Sequence, residues 1–348
     1  MKTDARLAEP SPSSTQIRIV RAAVDWYLRV HHGGGEPPGT AAMFCDRERV
    51  GGFAVRPQDL AQGDSASLFR VLVATAMFQR RQDQQVLRIL RGMASSMVEE
   101  ITDAERLQAL ASASPCAHLK TVESLRDRCD LTKDPATGRG TCSERHKQPC
   151  HLKLHTVALK RYGHFGKMPT SVALSLLENG AGDLSALFTQ VIATHRTRLD
   201  RAIALEAALC AGWRVNQKIA SMFLSAVTNP DLSPGCTVPW SRSLDWTYFV
   251  VVDSNVDLFL SAISYSGPRS YNARRDFVRA LAARVDLRRL DRRLRSFNPR
   301  LVQQAMYLFM SVTNRRASPI DCSHFGAAAC GLCPRTLANR CALRTSRK

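Results

Sequence analysis

The sequence is short of several things. It has no uninterrupted apolar run approaching the about 18 residues of a membrane-spanning helix, so no transmembrane segment is expected. Its beginning lacks the charged-then-apolar pattern of a secretory signal, and Met1 to Gln16, with Ser11-Pro12-Ser13-Ser14, reads as a polar tail. No internal repeat is visible, which argues against solenoids and propellers. Period-two alternation is scarce, and only Tyr248 to Val252 is β-rich, so a sheet-based fold is not expected. Acidic side chains are the minority, 30 against 49 Lys and Arg, for a net charge of +19 and a pI near 10.0.

What is present is a large, basic chain rich in cysteine. Its 348 residues, 45% of them apolar, suffice for one large domain or two ordinary ones. The positive excess is mostly arginine, densest between Arg269 and Arg300. Such a balance points to a polyanion, most simply nucleic acid, because the planar guanidinium donates two hydrogen bonds to a phosphate. A solvated basic surface is the plain alternative. The 11 cysteines, in a chain without a signal pattern, suggest metal binding in a reducing cytosol rather than disulfides. A cytoplasmic, bacterial-type, nucleoid-associated protein is expected.

Along the chain the pattern is nearly all helical. Ile17 to His31 is amphipathic, with Ile17, Val20, Val24 and Leu28 on one side. A loop is expected from Gly33 to about Gly63. Asp64-Ser65 reads as the cap of a helix carrying Leu68, Val71 and Leu72, and Gln84 to Met97 as another helix. Gln79 ends a strongly apolar helix, where it could project into a cleft or cap the helix. Ile101 to His155 is poorer in apolar residues and reads as an insertion. It carries Cys116, Cys129, Cys142 and Cys150 with His118, His146, His151 and His155. Some of Cys142, His146, Cys150 and His151 could bind zinc, or the thiols could be free. Lys218 to Val227 is a helix, Asp276 to Phe297 gives two basic helices, and Leu301 to Val312 is apolar nearly all round.

Two constellations carry chemistry. Cys322, Cys330, Cys333 and Cys341 form C-x7-C-x2-C-x7-C, a tight central pair that suits a [4Fe–4S] cluster or structural zinc. Trp213 to Val256 holds Lys218 at the start of an apolar helix and Asp253 at the end of an apolar run. The lysine suits a nucleophile and the aspartate a charge stabiliser, if they face each other across a cleft.

These landmarks resemble the helix-hairpin-helix DNA glycosylases of the endonuclease-III-like branch. That family has a C-terminal four-cysteine iron–sulfur loop of similar spacing, with shorter outer gaps. Its L-P-G-V-G-R-K-T-A hairpin lies over Gly212-Trp213-Arg214-Val215-Asn216-Gln217-Lys218-Ile219-Ala220, and its V-D-T/G-H/N-V segment is similar to Val252-Asp253-Ser254-Asn255-Val256. Its S-A-Q-x-x-D helix end is similar to Ala74 to Asp83. The hairpin glycines are replaced by Arg214 and Asn216, of which Asn tolerates a left-handed backbone best. Asn229 to Trp246 is an extra loop.

The resemblance implies an all-α fold of two helical domains flanking a DNA-binding cleft, with a four-cysteine cluster loop. The domains would be a disordered tail over 1–15, an N-terminal helix and loop over 16–63 packing on the cluster domain, a helix-hairpin-helix domain over 64–245 with its insertion at about 101–155, and a C-terminal domain over 246–348 with the iron–sulfur loop at 322–341. It implies a monomer that binds double-stranded DNA through Gln79, Arg214, Asn216 and Gln217 and flips one damaged or modified base. Asp253 would stabilise the oxocarbenium-like sugar, and Lys218 would attack C1′ to form a Schiff base with strand-nicking lyase activity. Lys218 could instead hold a phosphate, and Asp253 could be a helix cap. Gln79 would fill the hole left by the base. Tyr162, Phe165, Trp213 and Trp240 are candidates for stacking. The other classes are a non-catalytic DNA-binding module with a structural Fe–S or zinc site, and a zinc-containing nucleic-acid scaffold.

Overall fold

In residues 11–31, 40–79, 81–144, 150–160, 163–325 and 333–345, which the computed structural model describes, regular structure is almost entirely helical. The chain divides into two units, Met1–Pro37 with Thr247–Lys348, and Pro38–Trp246. Residues 38–63, grouped above with the first helix, belong to the second unit.

The first unit opens with α1 (Ser14–Val30). It starts inside the stretch read as a tail, because Ser13 and Gln16 form a reciprocal capping box that satisfies two otherwise orphaned amides. Its buried face is Ile19, Val20, Ala23, Val24 and Tyr27. The chain returns with α15 (Ser254–Ala262), α16 (Tyr271–Ala282), α17 (Pro299–Met310) and α18 (Val312–Ala317), numbered after the second unit's helices below. α17 is buried on nearly every side and packs against α1, α15 and α16. Each large apolar side chain it removes from water contributes about 1.5–3 kcal/mol. The β-rich run Tyr248 to Val252 forms no strand: among the described residues none pairs with it, and the Tyr271 hydroxyl accepts from Val252 N and donates to Val250 O. One expectation fails here. Beyond α16 there is no second basic helix, only a 3-10 turn at Leu287–Arg289 capped by Asp286, followed by a turn in which Asp291 accepts from Arg293 N. Asp286 and Asp291 accept from the backbone amides of Arg288 and Arg293, local turns that compete with a continuous helix.

The second unit runs α2 (Ala41–Cys45), α3 (Arg47–Val50), α4 (Pro57–Gln62), α5 (Ser65–Ala76), α6 (Asp83–Arg91), α7 (Ser95–Thr102), α8 (Ala104–Ala113) and α9 (Val122–Asp127). A hairpin of β1 (Thr132–Lys133) and β2 (Gly140–Thr141) follows. Then come α10 (His151–Ala158), α11 (Met168–Glu178), α12 (Leu184–Thr194), α13 (Arg198–Cys210) and α14 (Gln217–Thr228). Short helices replace the loop expected before Gly63, because Thr40 and Asp46 supply caps and Pro57 opens α4. Asp64 caps α5 as expected, accepting from Ser67 N at 2.8 Å. The insertion is not mere loop. α9 packs on α11, and β2 lies on α10, where a Cβ on Gly140 would come within 2.6 Å of Lys153 Cα.

Candidate functional site

The chain turns sharply between α13 and α14. Arg214 there has φ +67, a left-handed backbone that costs a non-glycine residue about 1–2 kcal/mol. Asn216, the residue better suited to that region, is extended at φ −101 and caps α14 by accepting from Ile219 N at 3.1 Å. The strain thus falls at the first of the two positions where the resemblance places glycine. Three contacts hold it. The Arg214 guanidinium donates to His164 Nε2 at 2.7 Å and lies 4.7 Å from the Trp213 ring centre, and its carbonyl accepts from Gln79 Nε2 at 3.0 Å.

The end of α5 therefore meets this turn. Lys218 Nζ, half-buried in the first turn of α14, donates to Phe78 O at 3.4 Å. Gln79 also donates to Ala76 O at 2.7 Å, so its amide straps the helix end to the turn. Gln79, Arg214 and Lys218 come together, with Asn216 exposed and Gln217 first in α14.

Asp253 lies in the first unit. Its Oδ1 accepts from Val256 N at 2.9 Å and caps α15, leaving the carboxylate half-buried. The fully buried Arg300 guanidinium is drawn electrostatically to Asp253 and Tyr271. Burial nevertheless pushes Arg300 down to about 10.

Two of the C-terminal cysteines, Cys322 and Cys341, meet Arg315, which is 1% exposed. Its Nη2 donates to Cys322 Sγ at 3.0 Å, its Nη1 to Cys341 Sγ at 3.4 Å and Phe309 O at 3.1 Å, and its Nε to Asp321 Oδ2 at 2.9 Å. The guanidinium carbon sits 4.8 Å from the Trp26 ring centre. His31 Nε2 lies 3.0 Å from the same Asp321 oxygen. Burial would raise the Asp321 carboxyl, but hydrogen bonds from His31 and Arg315 outweigh it and hold the group well below the usual carboxylate range. Cys333 is half-buried, and Cys330 lies outside the described residues. Among the described residues, no three Cys, His, Asp or Glu side chains stand ready around one ion. A buried guanidinium donating to two sulfurs nonetheless suits thiolate ligands, whose charge and lone pairs it would satisfy.

Among the stacking candidates, Phe165 is fully buried and Trp240 stacks on Phe188 at 3.5 Å. Trp213 meets His164 edge-on at 5.2 Å, and Tyr162 is outside the described residues. His146 is also outside them, and His151 Nε2 lies 3.1 Å from Thr170 Oγ1. Sequence reasoning missed Arg315, Tyr271 and Lys167. Nothing marks them out among so many basic and helical residues: Tyr271 and Lys167 find their partners in earlier segments, and Arg315 stands apart from the other arginines only by its burial.

Comparisons with protein-family models, curated proteins and solved structures return no match to the chain.

Proposed function

We propose that this chain is a DNA base-excision glycosylase, working as a monomer on double-stranded DNA in the cytosol and forming a lysine Schiff base. The observation that carries the reading is the meeting of Gln79, Arg214 and Lys218, with a left-handed backbone at the position where the family hairpin needs glycine. In the helix-hairpin-helix glycosylase fold this turn presents backbone amides to a phosphate, with the lysine beside it. Arg214 adds a guanidinium where the family has none.

The roles follow from chemistry. Arginines exposed at 284, 288, 289, 292, 293 and 295 supply phosphate contacts. The neutral Lys218 amine attacks C1′ of the target nucleotide and the base departs with the electrons of the C1′–N bond, taking up the proton the amine loses; the nitrogen lone pair then expels O4′, which is protonated from solvent, and the opened sugar is held as an iminium. The Asp253 carboxylate stabilises the positive charge that develops on the sugar. Cys322, Cys330, Cys333 and Cys341 would hold a [4Fe–4S] cluster, or zinc, which when bound supplies a structural clamp and a fixed local charge.

Borohydride trapping on duplexes carrying varied damaged or modified bases tests this, with wild type, Lys218→Ala and Asp253→Asn. A covalent adduct that Lys218→Ala abolishes supports the reading and names the substrate. Base release without an adduct would make Lys218 a phosphate ligand. Tight DNA binding with no release from any duplex would make the chain a non-catalytic binding module, with Gln79 and Asp253 as structural caps.

A further inference from the structure

The insertion gathers cysteines far apart in sequence. Cys116, Cys129, Cys142 and Cys150 follow C-x12-C-x12-C-x7-C, with no close pair to betray them. All four line one cavity of about 10 Å³. That is room for roughly one water-sized sphere, which suits a single ion rather than a four-iron cluster.

Each sulfur is delivered by a different structural device. Cys116 precedes a 3-10 turn at Ala117–Leu119, and Cys150 stands at the N-cap of α10. Cys129 enters the hairpin and Cys142 leaves it. The pairs Thr132↔Thr141 and Lys133↔Gly140, continued outward, set Cys129 opposite Glu144. Cys142 is two residues from Glu144, so both cysteines share one face of the hairpin. The missing side chain at Gly140 lets that face settle on α10 near Cys150.

Burial alone does not explain how the hairpin of β1 and β2 is held. Between Cys129 and Cys150, Leu131 is the one buried side chain among the described residues. A polar excursion with so little core needs a cross-link, and clustered thiols supply one in a reducing compartment. Charge agrees: the Lys167 ammonium, 4% exposed, donates to Leu125 O at 3.1 Å and to Cys129 O, where it offsets the negative charge of a tetrathiolate centre. The sulfurs are not preset around one point. Cys142 Sγ donates to Glu144 O at 3.6 Å, and rotation about one side-chain bond turns each thiol toward or away from the cavity.

We propose that Cys116, Cys129, Cys142 and Cys150 bind one zinc ion as four thiolates, a structural centre that folds the insertion. Four thiols give up four protons to solvent and four Zn–S bonds form, with no change of oxidation state. The site is independent of the glycosylase reading.

The full-length protein, purified under reducing conditions, is alkylated with and without prior chelation and mapped by mass spectrometry. Cys116, Cys129, Cys142 and Cys150 should be protected together and become reactive together on chelation, while Cys45 and Cys236 keep their rates. Cys116→Ser with Cys142→Ser should lose about one zinc per chain relative to wild type, with iron content unchanged. If that variant does not fold, cobalt substitution of wild type should still show the intense thiolate-to-metal absorption of a tetrahedral sulfur site. Equal reactivity before and after chelation, disulfides among the four, or iron at this site would each overturn the proposal.

Discussion

Replacing Arg315 by Met tests how the cysteine segment is held. The substitution keeps an apolar stem of similar length and deletes the guanidinium. Asp321, fully buried, would keep its His31 contact and the Ser323 N donor at 2.8 Å. Two sulfurs and the Phe309 carbonyl would lose a donor each. Removing one member of a buried ion pair costs about 3–5 kcal/mol, because the remaining charge is neither solvated nor paired. At roughly 4 °C per kcal/mol for a unit of this size, melting should fall by about 12–20 °C. Thermal and urea unfolding, both followed by circular dichroism, measure the shift and the free energy on protein loaded as purified. Arg315→Lys should recover part of the loss, since an ammonium keeps the charge but not the fork. Arg315→Met combined with Asp321→Asn should be milder than the two losses added, because the carboxylate that the guanidinium pairs with is removed as well. A single-variant loss below about 1 kcal/mol, or a double variant as unstable as the sum, would refute the argument.

Three further outcomes are expected. Burial and the Arg106 guanidinium push His155 down to about 4, prevailing over Glu100, whose partly exposed carboxylate lies 3.1 Å from Nε2. A histidine kept neutral stabilises the fold above its unfolded value of about 6.5 and loses that contribution as pH falls toward 4. Urea titrations should therefore lose at most about 3 kcal/mol over that window, and His155→Gln should flatten the loss; an unchanged profile would sink the assignment. Gly140→Ala should drive a Cβ into the Lys153 backbone, displace the hairpin at a cost of about 1–3 kcal/mol, and speed proteolysis near 130–144, whereas wild-type cleavage rates would contradict it. Arg288→Ala with Arg292→Ala should weaken binding to every DNA sequence alike and reduce the slope of log K against log salt by about 1–2; an unaltered slope would move the phosphate contacts elsewhere.

Helix periodicity and caps were legible because they are local. Asp64 and Asp253 cap the helices that the sequence assigns to them, whereas the cap that Asn216 supplies to α14 was not foreseen. What escaped is chemistry assembled across sequence distance. The residue that takes the left-handed backbone is Arg214, not Asn216, since tertiary contacts with His164, Trp213 and Gln79 outweigh intrinsic preference. The β-rich run at Tyr248 has strand composition but no strand partner, and composition cannot supply one. The insertion looked like a loop with scattered thiols because its cysteines converge only once the hairpin register is known.

Lys167 has a consequence for anyone who would trim this protein. Its ammonium donates to carbonyls within the insertion while lying 5.4 Å from the Trp213 ring centre. The insertion is thus wired to the turn that presents Arg214. A shortened chain that splices it out would strand a buried cation, and unpaired burial costs several kcal/mol. Excision and replacement of Lys167 by an apolar residue must be made together. The excursion is a fixture of the second unit, not a detachable appendage.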